Sequence, residues 1–181
     1  MNLIEQKLVI DRTKQWVIDI VIGCNFCPFA AKEMKKGSIH YEVLNESTPE
    51  NILEAVMNAL LLLDKNEEIE TSLLILACGF ENFEEYLDLA DLANELLVEH
   101  DYEGIYQIAS FHPQYLFEGS TNEDPSNYTN RSPYPMLHFL REESVSKAVE
   151  SYPNIEEVPN RNIAFTKEKG LQYIIQLLGS N

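Results

Sequence analysis

Residues 71–78 read Thr-Ser-Leu-Leu-Ile-Leu-Ala-Cys, a continuous apolar run without alternation. A short run of this kind marks a central strand buried on both faces. It needs a strand on either side and helices above and below. Upstream, Ser38–Leu44 alternates apolar Ile39, Tyr41 and Val43 with polar His40 and Glu42, the pattern of a half-buried strand. Downstream, Gly104–Phe111 reads as a third strand. Between the strands, Thr48 as N-cap and Pro49 at the first position open a helix to about Leu63, and Phe83–His100 is helical. Strand, helix, strand, helix, strand predicts parallel pairing with right-handed crossovers. The fold class is therefore α/β: a small, mostly parallel sheet of three or more strands with helices packed around it.

The flanks read as helices. Over residues 3–22, Val9, Thr13, Trp16, Val17, Ile20 and Val21 recur at three-to-four spacing, and Gly23 is a natural stop. A short helix is expected over 28–36, ended by Gly37. Leu137–Glu150 reads as helix, capped by Ser132 or Tyr134, and Asn160–Leu178 as a last helix weakened by Gly170. The 181 residues fit one domain. Its parts are N-terminal helices (1–37), the alternating unit (38–111), a long loop (112–135) and C-terminal helices (136–181).

Hydrophobic residues make up 45% of the chain, ample for a core. The net charge of −17 argues against nucleic acid, because phosphate contacts require clustered Lys and Arg, and it disfavours anionic membrane surfaces. No apolar run approaches the roughly 20 residues of a membrane span. The N-terminus carries acid early and has no signal-peptide pattern. Three Cys form no disulfide framework, so a cytoplasmic protein with reduced thiols is expected.

Chemistry concentrates between Phe111 and Glu142, which holds two of the four His and four of the eight Pro with aromatic residues interleaved. Long ordered loops are usually functional. His112 follows the third strand, where ligands of parallel sheets bind. His138 and Arg141, three apart on the expected helix, would share a face, with Glu142 able to orient the imidazole. Arg131 stands with Ser132 before a helix start and would suit a carboxylate or phosphate; it could equally brace the loop against Asp124 or Glu123. Asp124, Asn127 and Asn130 could bind substrate or build Asx-turns, the turn reading being favoured for the two Asn. Tyr128 and Tyr134, with Tyr115 and Phe117, could wall a pocket or pin the loop. Outside the loop, Cys27 precedes Pro28 and is expected at a helix N-cap, where the helix end would stabilise a thiolate. The plain alternative is a small buried hydrophobe. Cys24 and Cys27 form C-x-x-C without the strand or second pair that redox or zinc chemistry requires. Cys78, ending the central strand, is expected in the core.

Cys27-Pro28-Phe29-Ala30, then Ser110-Phe111-His112-Pro113 with Tyr115 and Phe117, then Asn127-Tyr128-Thr129-Asn130-Arg131-Ser132-Pro133-Tyr134-Pro135, and finally Leu137-His138 and Leu140-Arg141-Glu142 follow one another in this order. In these blocks the chain resembles a bacterial family catalogued as domain of unknown function 1415. The resemblance covers nearly the whole chain and implies no activity. The position of Cys24 is usually apolar in that pattern, which leaves Cys27 as the cysteine of interest.

Three functions are compatible with these residues. The leading expectation is an enzyme acting on a small anionic substrate, a transferase or hydrolase with Cys27 as nucleophile, His112 or His138 as general base and Arg131 as anion anchor. Arg141, Asp124, Asn127, Asn130, Tyr128, Ser132 and Tyr134 would contact that substrate. A second is a metalloprotein with Cys27, His112 and His138 as ligands and an open or Asp124-filled fourth position. A third is a non-catalytic ligand- or partner-binding module. The sequence names no cofactor and no oligomeric state.

Overall fold

Strand β2 (Thr71–Leu76) has all six residues buried, as its unbroken apolar run dictates. Around it stand β1 (Ile39–Leu44), β3 (Tyr106–Phe111) and β4 (Met136–Arg141). The structure is a computed structural model and describes residues 1–45, 48–152 and 154–179. Among these residues the sheet runs in the order β1-β2-β4-β3. β1 and β2 pair in parallel through the helix α3 (Pro49–Lys65). β3 follows α4 (Phe83–Glu99) and runs in the same direction, but it does not touch β2. β4 lies between them, antiparallel to both.

The sheet is therefore mixed, with one parallel and two antiparallel pairs, rather than mostly parallel. The source of the difference is a single segment. Leu137–Glu150 is not one helix; Met136–Arg141 is extended and only Glu142–Ser151 (α5) is helical. Met136, Leu137 and Phe139 are fully buried, on both faces of the sheet. A strand hydrogen-bonded along both edges accepts such a run; a helix at the surface does not.

The two sheet faces carry separate cores. Leu74, Leu76, Tyr106, Leu137 and Phe139 pack against α3 and α4. Leu73, Ile75 and Met136 pack against Val9, Trp16, Val17 and Ile20. The last four belong to α1 (Leu3–Trp16) and its continuation, a π-helical segment over Val17–Ile22. C-terminal α6 (Val158–Lys169) and α7 (Leu171–Gly179) close the same side through Phe165, Leu177 and Leu178. The expected last helix is broken in two at Gly170, whose φ of +77° no helix accommodates. The short helix α2 spans Ala30–Lys36 and ends on left-handed Gly37, as expected. It begins two residues later than Pro28. Thr48 occupies the N-cap position of α3 but makes no capping bond with its side chain. No helix among the described residues is long and apolar enough to cross a membrane.

The widened turns of the π segment end at Gly23, whose N–H donates to the Ile18 carbonyl at 2.9 Å. A β-carbon there would collide with the Asp19 carbonyl. Gly23 thus terminates the helix by close approach, with a helical φ of −60° and not the left-handed stop that glycine usually supplies. Gly23→Ala is expected to lower stability by about 1–3 kcal/mol, read as a shifted urea midpoint at unchanged slope.

Candidate functional site

His138 sits on β4, between Leu73 of β2 and Ala109 of β3. All three line a cavity of about 650 Å³ on the α1 side of the sheet. The floor adds Thr71, Gln107, Phe111 and Leu140, and the opposite wall is Trp16, Val17, Val21, Cys27 and Phe29. Val145, Ala148 and Tyr152 close it from α5 and the residue after it. The walls are mainly apolar, and the volume lies within the range of small-molecule sites, roughly 300–1,000 Å³. Two edge-to-face aromatic pairs stand in the lining: Trp16 with Phe111 at 5.3 Å, and Phe29 with Tyr152 at 6.1 Å between centroids. Phe111 also reaches the His138 ring, at 6.0 Å.

The state of His138 follows from Thr71. The Thr71 hydroxyl lies 2.6 Å from the Phe139 carbonyl and 2.6 Å from His138 Nε2. A carbonyl only accepts, so the single hydroxyl proton goes to Phe139, and Nε2–H donates to Thr71 Oγ1. The residue is partly buried and borders the cavity, and burial pushes its pKa down to about 4. At neutral pH it is an uncharged imidazole.

Cys27 is partly exposed and shares the cavity wall with Phe29 and Ala30. It is not an N-cap. Helix α2 is capped at Phe29 and begins at Ala30, so Cys27 lies two residues outside it, and its carbonyl accepts from the Ala30 N–H at 3.4 Å. The helix end expected at Cys27 stands at Phe29 instead. Cys24 is buried, and burial raises its pKa. Cys78, expected in the core, is exposed, because β2 stops at Leu76; its thiol donates to Asn45 Oδ1 at 3.2 Å.

Most of the charged groups at the cavity have partners of their own. Burial would raise the pKa of Glu33, but the Ser38 hydroxyl at 2.7 Å and the Lys36 and Lys32 ammonium groups hold it below the ordinary carboxylate value. Lys147 pairs with Glu143 at 2.5 Å on the surface.

The structure does not bring the other expected residues to this cavity. His112 is fully buried; its Nε2–H donates to the Phe80 carbonyl at 2.8 Å and its Nδ1 accepts from the Gln114 N–H at 3.0 Å. With both nitrogens committed it is neither a free base nor a metal ligand. Burial lowers its pKa as well. Arg131 donates to the carbonyls of Tyr115 at 3.1 Å and Asn122 at 3.2 Å, and its guanidinium lies 4.4 Å from the Tyr128 ring centroid. It braces the loop through carbonyls and not through Asp124 or Glu123. Arg141 borders the cavity, but on a strand it cannot share a face with His138. Its Nη2 donates to the carbonyls of Leu63 at 2.6 Å, Asn66 at 3.1 Å and Ile69 at 3.0 Å. These bonds tie off the C-terminus of α3, where a cation is favoured.

The loop polar groups serve one another. Asp124 caps the 3₁₀ turn Pro125–Thr129 through the Ser126 N–H and hydroxyl, and those bonds hold its carboxyl below the usual range. Buried Asn127 accepts from Phe117 N–H and Ser120 Oγ and donates to Thr121 O. Asn130 Oδ1 accepts from the Thr129 hydroxyl at 3.0 Å. Ser132 donates to the Tyr134 carbonyl at 2.6 Å, and neither residue caps a helix, since β4 follows them. Tyr134 Oη accepts weakly from Arg12, at 3.5 Å. Among the described residues no group of three or more His, Cys, Asp or Glu is placed to hold a metal ion, and Cys27, His112 and His138 form no ligand set.

The lining residues missed in the sequence include Thr71, Gln107, Ala109, Phe111, Trp16, Phe29 and Tyr152. The alternation Gln107, Ala109, Phe111 along β3 was the available signal, since residues two apart share a face.

A mixed α/β sheet with a mainly apolar cavity, flanked by one cysteine and one uncharged histidine, is the class that fold and site define. The chain belongs to the family described as Protein of unknown function (DUF1415), whose model matches residues 8–176. No curated protein and no solved structure matches the chain.

The depressed pKa of His138 has a consequence for stability. The unfolded chain binds a proton near pH 6.5 and the folded ring only near pH 4, so the unfolded state carries more protons between these values. Stability is full above the unfolded value and is expected to fall by about 3 kcal/mol as pH drops through this window. Urea denaturation of wild type and His138→Gln from pH 7.5 to 4 checks this; the variant is expected to lose the His138 share of the slope and to keep the share of His112, whose pKa burial also lowers.

Proposed function

We propose that this chain binds a small, largely apolar molecule in the cavity beneath β3 and β4, with Cys27 and His138 as the two groups able to act on it. The observation that carries this reading is that a cysteine from the N-terminal third and a histidine from β4 meet the same cavity of about 650 Å³. Apolar walls supply affinity, and few polar groups supply orientation.

The reading keeps the expected Cys27 and His138 and parts with Arg131 as anion anchor, whose guanidinium is spent on backbone carbonyls. A small anion is therefore a weaker candidate than an uncharged molecule. Catalysis with Cys27 as nucleophile, a transferase or hydrolase step, uses the same cavity. Its energetics are constrained. Protonating His138, with a pKa of about 4, costs about 4 kcal/mol at pH 7. His138 accordingly rests as a neutral imidazole. Attack by Cys27 requires a bound substrate whose own charge development offsets that cost. The three free cysteines suit a reducing compartment such as the cytoplasm.

Ligand-observed NMR with an aromatic fragment set tests the reading, using Ala109→Leu to fill the floor beside His138. Fragments are expected to bind wild type, with affinity lowered at least tenfold in the variant at unchanged secondary structure. Equal binding to both proteins would remove the cavity as the site.

A further inference from the structure

Resting on the ligand cavity proposed above, we infer that Thr71 is a positioning residue that makes the cavity select uncharged aromatic molecules bearing a hydroxyl or N–H donor. Thr71 Oγ1 has a single hydrogen, and the Phe139 carbonyl at 2.6 Å takes it. The hydroxyl must then accept at its other short contact, the 2.6 Å approach of His138 Nε2. His138 is thereby held as the Nε2–H tautomer, and the lone pair belongs to Nδ1. Among the described residues no group bonds Nδ1. The nitrogen left for a ligand is an acceptor, so the matching ligand group is a donor.

The surroundings define the rest of the ligand. Trp16, Phe29, Phe111 and Tyr152 give the lining an aromatic character suited to ring-to-ring contact. A carboxylate would meet a lone pair where it needs a donor. The cations nearest the cavity are held by Glu33, by Glu143 and by backbone carbonyls. A methyl ether of the same shape would fill the space and cover Nδ1 without pairing it, which costs affinity.

Phenol, anisole and benzoate are suitable probes, their binding followed by shifts of the Leu73, Ala109 and Val145 signals in wild type, Thr71→Ser and Thr71→Val. Phenol is expected to bind roughly tenfold tighter than anisole, the worth of one hydrogen bond, and tighter than benzoate. Thr71→Ser should keep the preference and Thr71→Val should erase it. The nitrogen-15 shifts of the His138 ring in the free wild-type protein should show the proton on Nε2, a readout a merely structural threonine would not control and one that stands even if Thr71→Val fails to fold. A proton on Nδ1, equal binding of phenol and anisole, or tightest binding of benzoate each overturns the inference while leaving the cavity a ligand site. If none of the three probes shifts the cavity signals, the cavity reading itself falls, and the selection with it.

Discussion

Strand β4 is hydrogen-bonded along both edges, to β2 on one side and β3 on the other, and the rest of the molecule is arranged around that fact. Double pairing satisfies the backbone of a nearly continuous apolar run, so Met136, Leu137 and Phe139 can be buried on both faces without orphaned amide groups. The pleat then sends Leu137 and Phe139 toward α3 and α4, and Met136 and His138 toward α1. It also separates the two polar residues of the strand. His138 meets the cavity; Arg141 turns to the end of α3. Tyr86 locks the base of this arrangement, its hydroxyl donating to the Met136 carbonyl at 2.7 Å and accepting from the Phe111 N–H at 3.1 Å.

An antiparallel neighbour of β3 could follow a two-residue turn; here residues 112–135 intervene. The polar side chains of that loop are largely consumed in holding its shape. His112 anchors it to the Phe80 carbonyl, Asn127 ties Phe117 to Thr121, and Arg131 spans Tyr115 and Asn122. The Trp16 indole N–H donates to the Arg131 carbonyl at 3.0 Å, so a cavity-lining aromatic is positioned by the loop. The loop reaches the site through the residues it holds: its own His and Arg stay outside the cavity, and the Arg131 carbonyl fixes the Trp16 indole.

Much of this was legible in the sequence, and the parts that were not have physical reasons. β2 was readable because an unbroken apolar run of strand length has few other uses. β1, α3 and α4 followed from alternation, a proline at the first helical turn and helical spacing. Met136–Arg141 was misread because Leu137, Leu140, Val145 and Ala148 match a helical period across a strand–helix boundary, and short apolar runs do not distinguish the two. That one error moved His138 and Arg141 onto a common face and made the sheet parallel. Cys27 and His138 were legible as candidates from residue type alone. Their meeting was not, because it depends on strand order. His112 and Arg131 were chosen for their chemistry, but burial and backbone partners, which no one-dimensional pattern displays, decided their role.

The central claim is that Cys27 and His138 share one chamber from which His112 is excluded. In a Cys78→Ser background, with Cys24 buried, attaching a benzyl group to Cys27 through a disulfide and recording the histidine ring signals by NMR tests it directly. The His138 signals should shift strongly while those of His112 stay in place. An unmoved His138, or a shift confined to His112, would contradict the account.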